Sequence, residues 1–203
     1  MPFSSDPFVF FTAIALGNLL INENVPGAVV GSVAVEDPDS GDTHNLTVSD
    51  PRFEFIGSQL KLKGSVQLDH ESLASVRLTV TATDTGVPAL ASSRSFTIQI
   101  ADVNEAPVDV RLSQKTGNES QAGATVGVLS VIDPDRGDSH TFTVSDDRFE
   151  VSKRRLKLKP DTSLDYDSET SVTLRVTATD SGNQAVSKDF VISVVDSGNI
   201  SCR

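Results

Sequence analysis

Acidic residues recur in this chain in short, regular groups. Glu23 is followed by Asp37 and Asp39 in "EDPDSGD", Asp69 and Glu71 in "LDHE", and Asp84 at the end of "TATD". The series returns as Glu119, Asp133 and Asp135 in "IDPDRGD", Asp165 and Asp167 in "LDYD", and Asp180. Hard divalent cations are the chemistry such groups suit. Ca²⁺ takes about six to eight oxygens, which Asp-x-Asp loops, Asn side chains and backbone carbonyls supply. Proline inside the Asp-x-Asp turn holds both carboxylates on one side without a helix. With no cation, two carboxylates about 5 Å apart repel by roughly 3 kcal/mol at an effective dielectric near 20. Solvated acidic loops would not explain why the pattern returns in register.

Other chemistries fare worse. His44 and His140 each follow an acidic loop, but imidazole is a poor calcium ligand, so strand packing is expected of them. His70 becomes Tyr166 in the second series, which argues against catalytic duty. Ser, His and Asp occur without a nucleophile elbow or oxyanion motif, so no enzyme is expected. Cys202 is the only cysteine, which rules out an intrachain disulfide and disfavours a thiolate metal site. A net charge of −11 excludes nucleic acid as partner. Arg136-Gly-Asp138 spells a tripeptide that some cell-surface receptors read, yet Arg136 only replaces Ser40 in a loop both series share.

The elements that must position these acids are repeated too. Shifting the chain by 96 residues aligns Asn22–Asp84 with Asn118–Asp180, with about 35 of 63 positions identical. After a two-residue deletion Phe96 aligns with Phe190. Within each copy the period is two. "RLTVTAT" sets Leu78, Val80 and Ala82 on one face, and "SFTIQI" alternates likewise. "FEFIGSQLKLK" reads as two strands turning at Gly57-Ser58, with the counterpart turning at Lys153-Arg154. Ile14-Ala15-Leu16 aligns with Val110-Arg111-Leu112, so the apolar N-terminal stretch contains a first strand; it lacks the basic flank of a signal peptide and is too short to span a bilayer. About seven short strands per copy predict an all-β chain of two tandem Greek-key β-sandwiches, immunoglobulin-like. The expected order is an extension over 1–11, repeat 1 over 12–103, a linker over 104–107, repeat 2 over 108–196 and a tail over 197–203.

The quoted motifs, with "INENVPGAVVG" and the linker "DVNEAP", resemble tandem cadherin repeats, nearest to the cadherin-like repeats of bacterial surface adhesins. The resemblance covers residues 12 to 196. It implies sandwiches that bind calcium between successive repeats, with Glu23, Asp69 and Glu71 from repeat 1, and Asp133, Asp135 and Asp180 from repeat 2. The linker would add the Val103 carbonyl, the Asn104 side chain and the Glu105 carboxylate. Those seven carboxylates nearly balance three Ca²⁺, so two or three ions are expected. Glu105 stands where the family has Asp, adding a methylene, and Ala106 stands where Asn is usual, though only its carbonyl is used there. Asp37, Asp39 and Asp84 would form a partial site at one end, and Glu119, Asp165 and Asp167 another at the opposite end. The function implied is a calcium-rigidified extracellular or cell-surface adhesion module. Expected partners are other copies, surface proteins or polysaccharide, with monomeric or weakly self-associating behaviour and no membrane span. A calcium-dependent polysaccharide-binding module is the alternative, though one Tyr and no Trp leave little to stack on sugars. Strand exchange through an N-terminal Trp is disfavoured for the same lack of Trp.

Overall fold

Valine, threonine and isoleucine at alternating positions build strands throughout, and no α-helix occurs among the described residues. The structure is a computed structural model that describes residues 13–37, 43–86 and 88–198. Asp39, the 1–11 extension, Asn199 and Cys202 lie outside those residues. The chain divides into two units at Val103/Asn104.

In the first unit the strands are β1 (Ala13–Leu16), β2 (Leu20–Asn22), β3 (Val29–Glu36), β4 (His44–Val48), β5 (Phe53–Ile56), β6 (Gln59–Leu62), β7 (Ser75–Asp84) and β8 (Ala91–Ala101). They form two sheets, ordered β1-β3-β6-β5 and β2-β8-β7-β4. The second unit repeats the plan with β9 (Asp109–Leu112), β10 (Thr116–Asn118), β11 (Thr125–Ile132), β12 (Thr141–Val144), β13 (Phe149–Ser152), β14 (Arg155–Leu158), β15 (Ser171–Thr179) and β16 (Ala185–Val195). Its sheets run β9-β11-β14-β13 and β10-β16-β15-β12. Each unit is thus a β-sandwich, as its alternation requires.

Eight segments appear per unit where about seven were expected, because the first strand changes sheets. β1 runs antiparallel to β3, whereas β2 runs parallel to β8 in the opposite sheet. Asn18 bridges the switch: its Nδ2 donates to the Leu20 carbonyl at 2.7 Å, and its Oδ1 accepts the Leu20 N–H at 3.2 Å. Across from it β3 slips register between Val29 and Gly31, and a Cβ at Gly31 would sit 3.0 Å from the Asn18 nitrogen. Glycine therefore leaves room for the crossing chain.

The predicted faces hold. Val76, Leu78, Val80 and Ala82 of β7 are buried with Phe96, Ile98 and Ile100 of β8, against Ile14, Phe53, Leu60 and Leu62 of the facing sheet. The second core assembles Val172, Leu174, Val176, Phe190 and Ile192 against Val110, Leu129, Phe149, Leu156 and Leu158. Burying one such side chain contributes about 1.5–3 kcal/mol. The outer face of β7 and β8 is polar, with Thr79 and Ser95 paired at 3.0 Å and Thr81 and Ser93 at 2.8 Å.

Both tight turns fall where expected, with different backbones. Ile56 pairs with Gln59 around Gly57-Ser58, and only Gly57 has positive φ, at 60°. Ser152 pairs with Arg155 around Lys153-Arg154, whose φ values are 49° and 64°. Two consecutive left-handed residues give the primed turn that suits a right-twisted hairpin, a place usually held by Asn-Gly.

Candidate metal centre

In the first unit, the acids gather where the entering and leaving strands meet. The pairing of β2 with β8 continues as a 3.2 Å bond from the Glu23 N–H to the Ala101 carbonyl. Asn24 then turns through a positive φ of 57°, and its N–H reaches the Leu68 carbonyl at 2.9 Å. This turn tucks Glu23 inside, leaving it 1% exposed. Its Oε2 accepts the His70 N–H at 2.7 Å and its Oε1 accepts the Val103 N–H at 2.8 Å. One side chain thereby ties the "LDHE" loop to the end of the unit. The His70 Nδ1 donates to the Ile100 carbonyl at 2.7 Å, and this bond, helped by nearby Asp102, Glu71 and Glu23, raises the imidazole pKa.

Asp69 is held by its own loop. Its Oδ1 accepts the Glu71 N–H at 3.0 Å and its Oδ2 accepts the Ser72 hydroxyl at 2.8 Å. The Ser72 and Glu71 donors keep its carboxyl below the usual range. Glu71 is pushed the other way, first by burial and then by the negative charges of Glu23 and Asp102. Oxygens of Glu71 lie within 4.8 Å of oxygens of Glu23 and of Asp102. The Glu71 Oε2 is shielded from solvent and has no hydrogen-bond partner among the described residues. A shielded, unpartnered carboxylate oxygen beside like charges is costly unless a cation meets it.

The second unit fixes its own set. The Asn104 Nδ2 donates to the Asp180 Oδ2 at 3.1 Å, and the Gln184 Nε2 returns to the Asn104 carbonyl at 3.0 Å. Asp180, 5% exposed, also accepts the Gln184 N–H at 2.7 Å. Gly182 makes room: a Cβ there would stand 2.4 Å from the Asn104 Nδ2. The Glu105 N–H donates to the Asp135 Oδ2 at 2.7 Å. Asp133 closes the "DPD" turn by accepting the Asp135 N–H at 3.0 Å, while its Oδ2 meets the His140 Nε2 at 2.7 Å. The same pairing occurs between His44 and Asp37 at 2.8 Å. The two histidines are therefore more than strand packing: each one orients the aspartate of its loop.

The terminal sets follow the same plan. Glu119 accepts the Tyr166 N–H at 3.0 Å and the Ser197 N–H at 2.9 Å, as Glu23 accepts those of His70 and Val103. These donors, Ser197 first, lower its pKa. Asp165 accepts the Asp167 N–H at 3.0 Å. Asp84 accepts the Gly86 N–H at 3.1 Å and the Leu90 N–H at 2.9 Å. Asp102 was not among the expected ligands, yet it lies beside Glu71. A signal existed, since the register that aligns Phe96 with Phe190 also aligns Asp102 with Asp196.

Both units gather sets of oxygen donors, and the chain is similar in sequence to protocadherins and in fold to their solved extracellular cadherin domains. Human Protocadherin gamma-A5 is 27% identical over 208 residues, which cover 93% of this chain and 22% of that protein. Protocadherin gamma-A4 of Pan troglodytes is 28% identical over 203 residues, covering 90% of this chain and 22% of its own length. The chain thus spans about a fifth of the curated relatives it matches. Human Protocadherin-24 EC1-2 superposes with a TM-score of 0.71 at 22% identity, covering 92% of this chain and 96% of that one. The Protocadherin gammaB7 EC3-6 cis-dimer structure gives 0.63 at 26%, covering 91% and 49%. No family model matches. These relatives are human and chimpanzee protocadherins, so the expected nearness to bacterial adhesins is not supported.

Proposed function

We propose that the chain is a calcium-binding extracellular module of a cell-surface protein, serving adhesion and stiffening when the ion binds. The observation that carries this reading is the shielded Glu71 Oε2 beside Glu23 and Asp102, which asks for a cation. Glu23, Asp69, Glu71, Asp102 and the Val103 carbonyl would supply one part of the coordination. Asn104, Glu105, Asp133, Asp135 and Asp180 would supply the other, and Val103 and Asn104 are consecutive in the chain. Carboxylates and carbonyls alone, with no thiolate among them, suit Ca²⁺ over softer metals. The bound ion would neutralise charge and hold the carboxylates against their mutual repulsion; two or three ions fit the donor count. Affinity belongs to the extracellular class, on the order of 10⁻⁴ to 10⁻³ M or tighter.

A second copy of the chain is favoured over polysaccharide as the adhesion partner, because one similar protein, gammaB7, was solved as a cis-dimer. No helix among the described residues is long and apolar enough to cross a membrane. Thermal unfolding and small-angle scattering in calcium and in chelator test the metal reading. Calcium should raise the melting temperature and narrow the range of maximum dimensions, and Glu71→Gln should weaken both responses. If neither quantity moves with calcium, the reading is wrong.

A further inference from the structure

The second unit carries a cluster of positive charge that its repeat lacks. Lys153, Arg154, Arg155, Lys157 and Lys159 fall within seven residues with no acid among them, on a chain whose net charge is −11. Leu156 and Leu158 point into the core, so the alternation of β14 turns Arg155 and Lys157 outward on one face, and exposed Lys159 follows just beyond the strand. Beside this row lies an open cavity of about 510 Å³ lined by Thr125, Ser152, Lys153, Arg155 and Lys157. Lys157 is partnered by Glu150 at 2.7 Å, and the Arg154 Nε donates to the Leu129 carbonyl at 3.3 Å. Neither Lys153 nor Arg155 has an ion-pair partner among the described residues. At the corresponding positions repeat 1 has Ile56, Gly57, Ser58, Gln59 and Val29, while Lys61 and Lys63 are common to both copies. What repeat 2 adds is therefore Lys153, Arg154 and Arg155 at the rim and hydroxyls at Thr125 and Ser152. Two of the added cations, Lys153 and Arg154, occupy a left-handed backbone that glycine or asparagine would adopt with less strain, which sets these substitutions against local folding preference.

We infer that this hairpin face is a binding site for an anionic glycan, one bearing sulfate or carboxylate groups along its chain. The row of cations matches a linear polyanion, the Lys153–Arg155 rim suits a single sulfate or carboxylate, and the hydroxyls suit sugar hydroxyls. No aromatic residue lines the cavity, so recognition rests on charge and neutral sugars have nothing to stack on. The site lies within the second unit and uses none of the carboxylates assigned to calcium, which separates it from the adhesion reading.

The test is calorimetric titration of the full chain, in calcium, with a sulfated heparin hexasaccharide and with a neutral oligosaccharide of equal length. The sulfated sugar should bind saturably at one site per chain and weaken as salt rises from about 0.05 M to about 0.3 M, while the neutral sugar should not bind. Lys153→Gly with Arg155→Gln, which installs the residues of repeat 1, should weaken binding roughly tenfold or more, the loss of one or two charge-assisted contacts. Lys61→Gln should change nothing. Arg155→Glu alone, an exposed reversal, covers the case in which the double variant folds poorly. Equal binding by wild type, the double variant and Arg155→Glu overturns the proposal. So does a loss of self-association without a loss of glycan binding, which would assign the face to the acidic surface of a second copy. Persistence of sugar binding in chelator would leave the glycan site standing even if the calcium reading failed.

Discussion

At the scale of single residues, the site depends on backbone donors placed by a few side chains. Glu23 is the clearest case, since one buried carboxylate receives N–H groups from two segments distant in sequence. Its position was legible, because Glu recurs at the same register in both copies; the left-handed turn that follows it at Asn24 and Ser120, and the N–H groups it receives, were not. Asp102 was one acid within a linker motif, marked in the sequence only by its alignment with Asp196; its approach to Glu71 brings it into the set. The His44–Asp37 and His140–Asp133 pairs were hidden, because they form only after a loop of several residues has closed. Gly182 offers a sharp test. Alanine there would drive its Cβ into the Asn104 side chain, which must move off Asp180. Gly182→Ala should therefore weaken calcium binding several-fold, while costing stability only about 1 kcal/mol because the turn is exposed. Calcium titration alongside chelator-state unfolding reads the two effects separately.

At the scale of elements, alternation in "RLTVTAT" and "SFTIQI" gave the right buried faces because each strand has one wet side and one dry side. Division of the first strand was not legible. It depends on which sheet edge lies within reach, and on Asn18 and Gly31 meeting across a bulge. The β13–β14 turn could be located from the repeat, but its left-handed pair could not be, since Lys-Arg is an unusual occupant. Replacing Lys153-Arg154 by Asn-Gly should stabilise the second unit by about 1 kcal/mol, the usual scale for relieving left-handed strain. Thermal unfolding in calcium, compared with a matching change at the Gly57-Ser58 turn, checks this. A fall in melting temperature would mean that the long side chains contribute more than the strained backbone costs.

At the scale of the whole molecule, net charge governs behaviour when calcium is withheld. The chain carries 28 acids against 17 Lys and Arg, and the candidate ligands among them are grouped in short clusters. In chelator, raising sodium chloride from about 0.05 M to about 0.3 M should therefore raise the melting temperature, because screening relieves self-repulsion. In saturating calcium the same change should do little or lower it slightly. Differential scanning fluorimetry across both series tests this. A further consequence lies in the parallel pairing of β2 with β8, and of β10 with β16. In each unit the chain enters and leaves along neighbouring strands that run the same way. Pulling the two ends apart slides these strands lengthwise, so their hydrogen bonds are loaded together in shear and do not unzip one after another. The same register that gathers the carboxylates therefore makes each unit resist stretching along its strands.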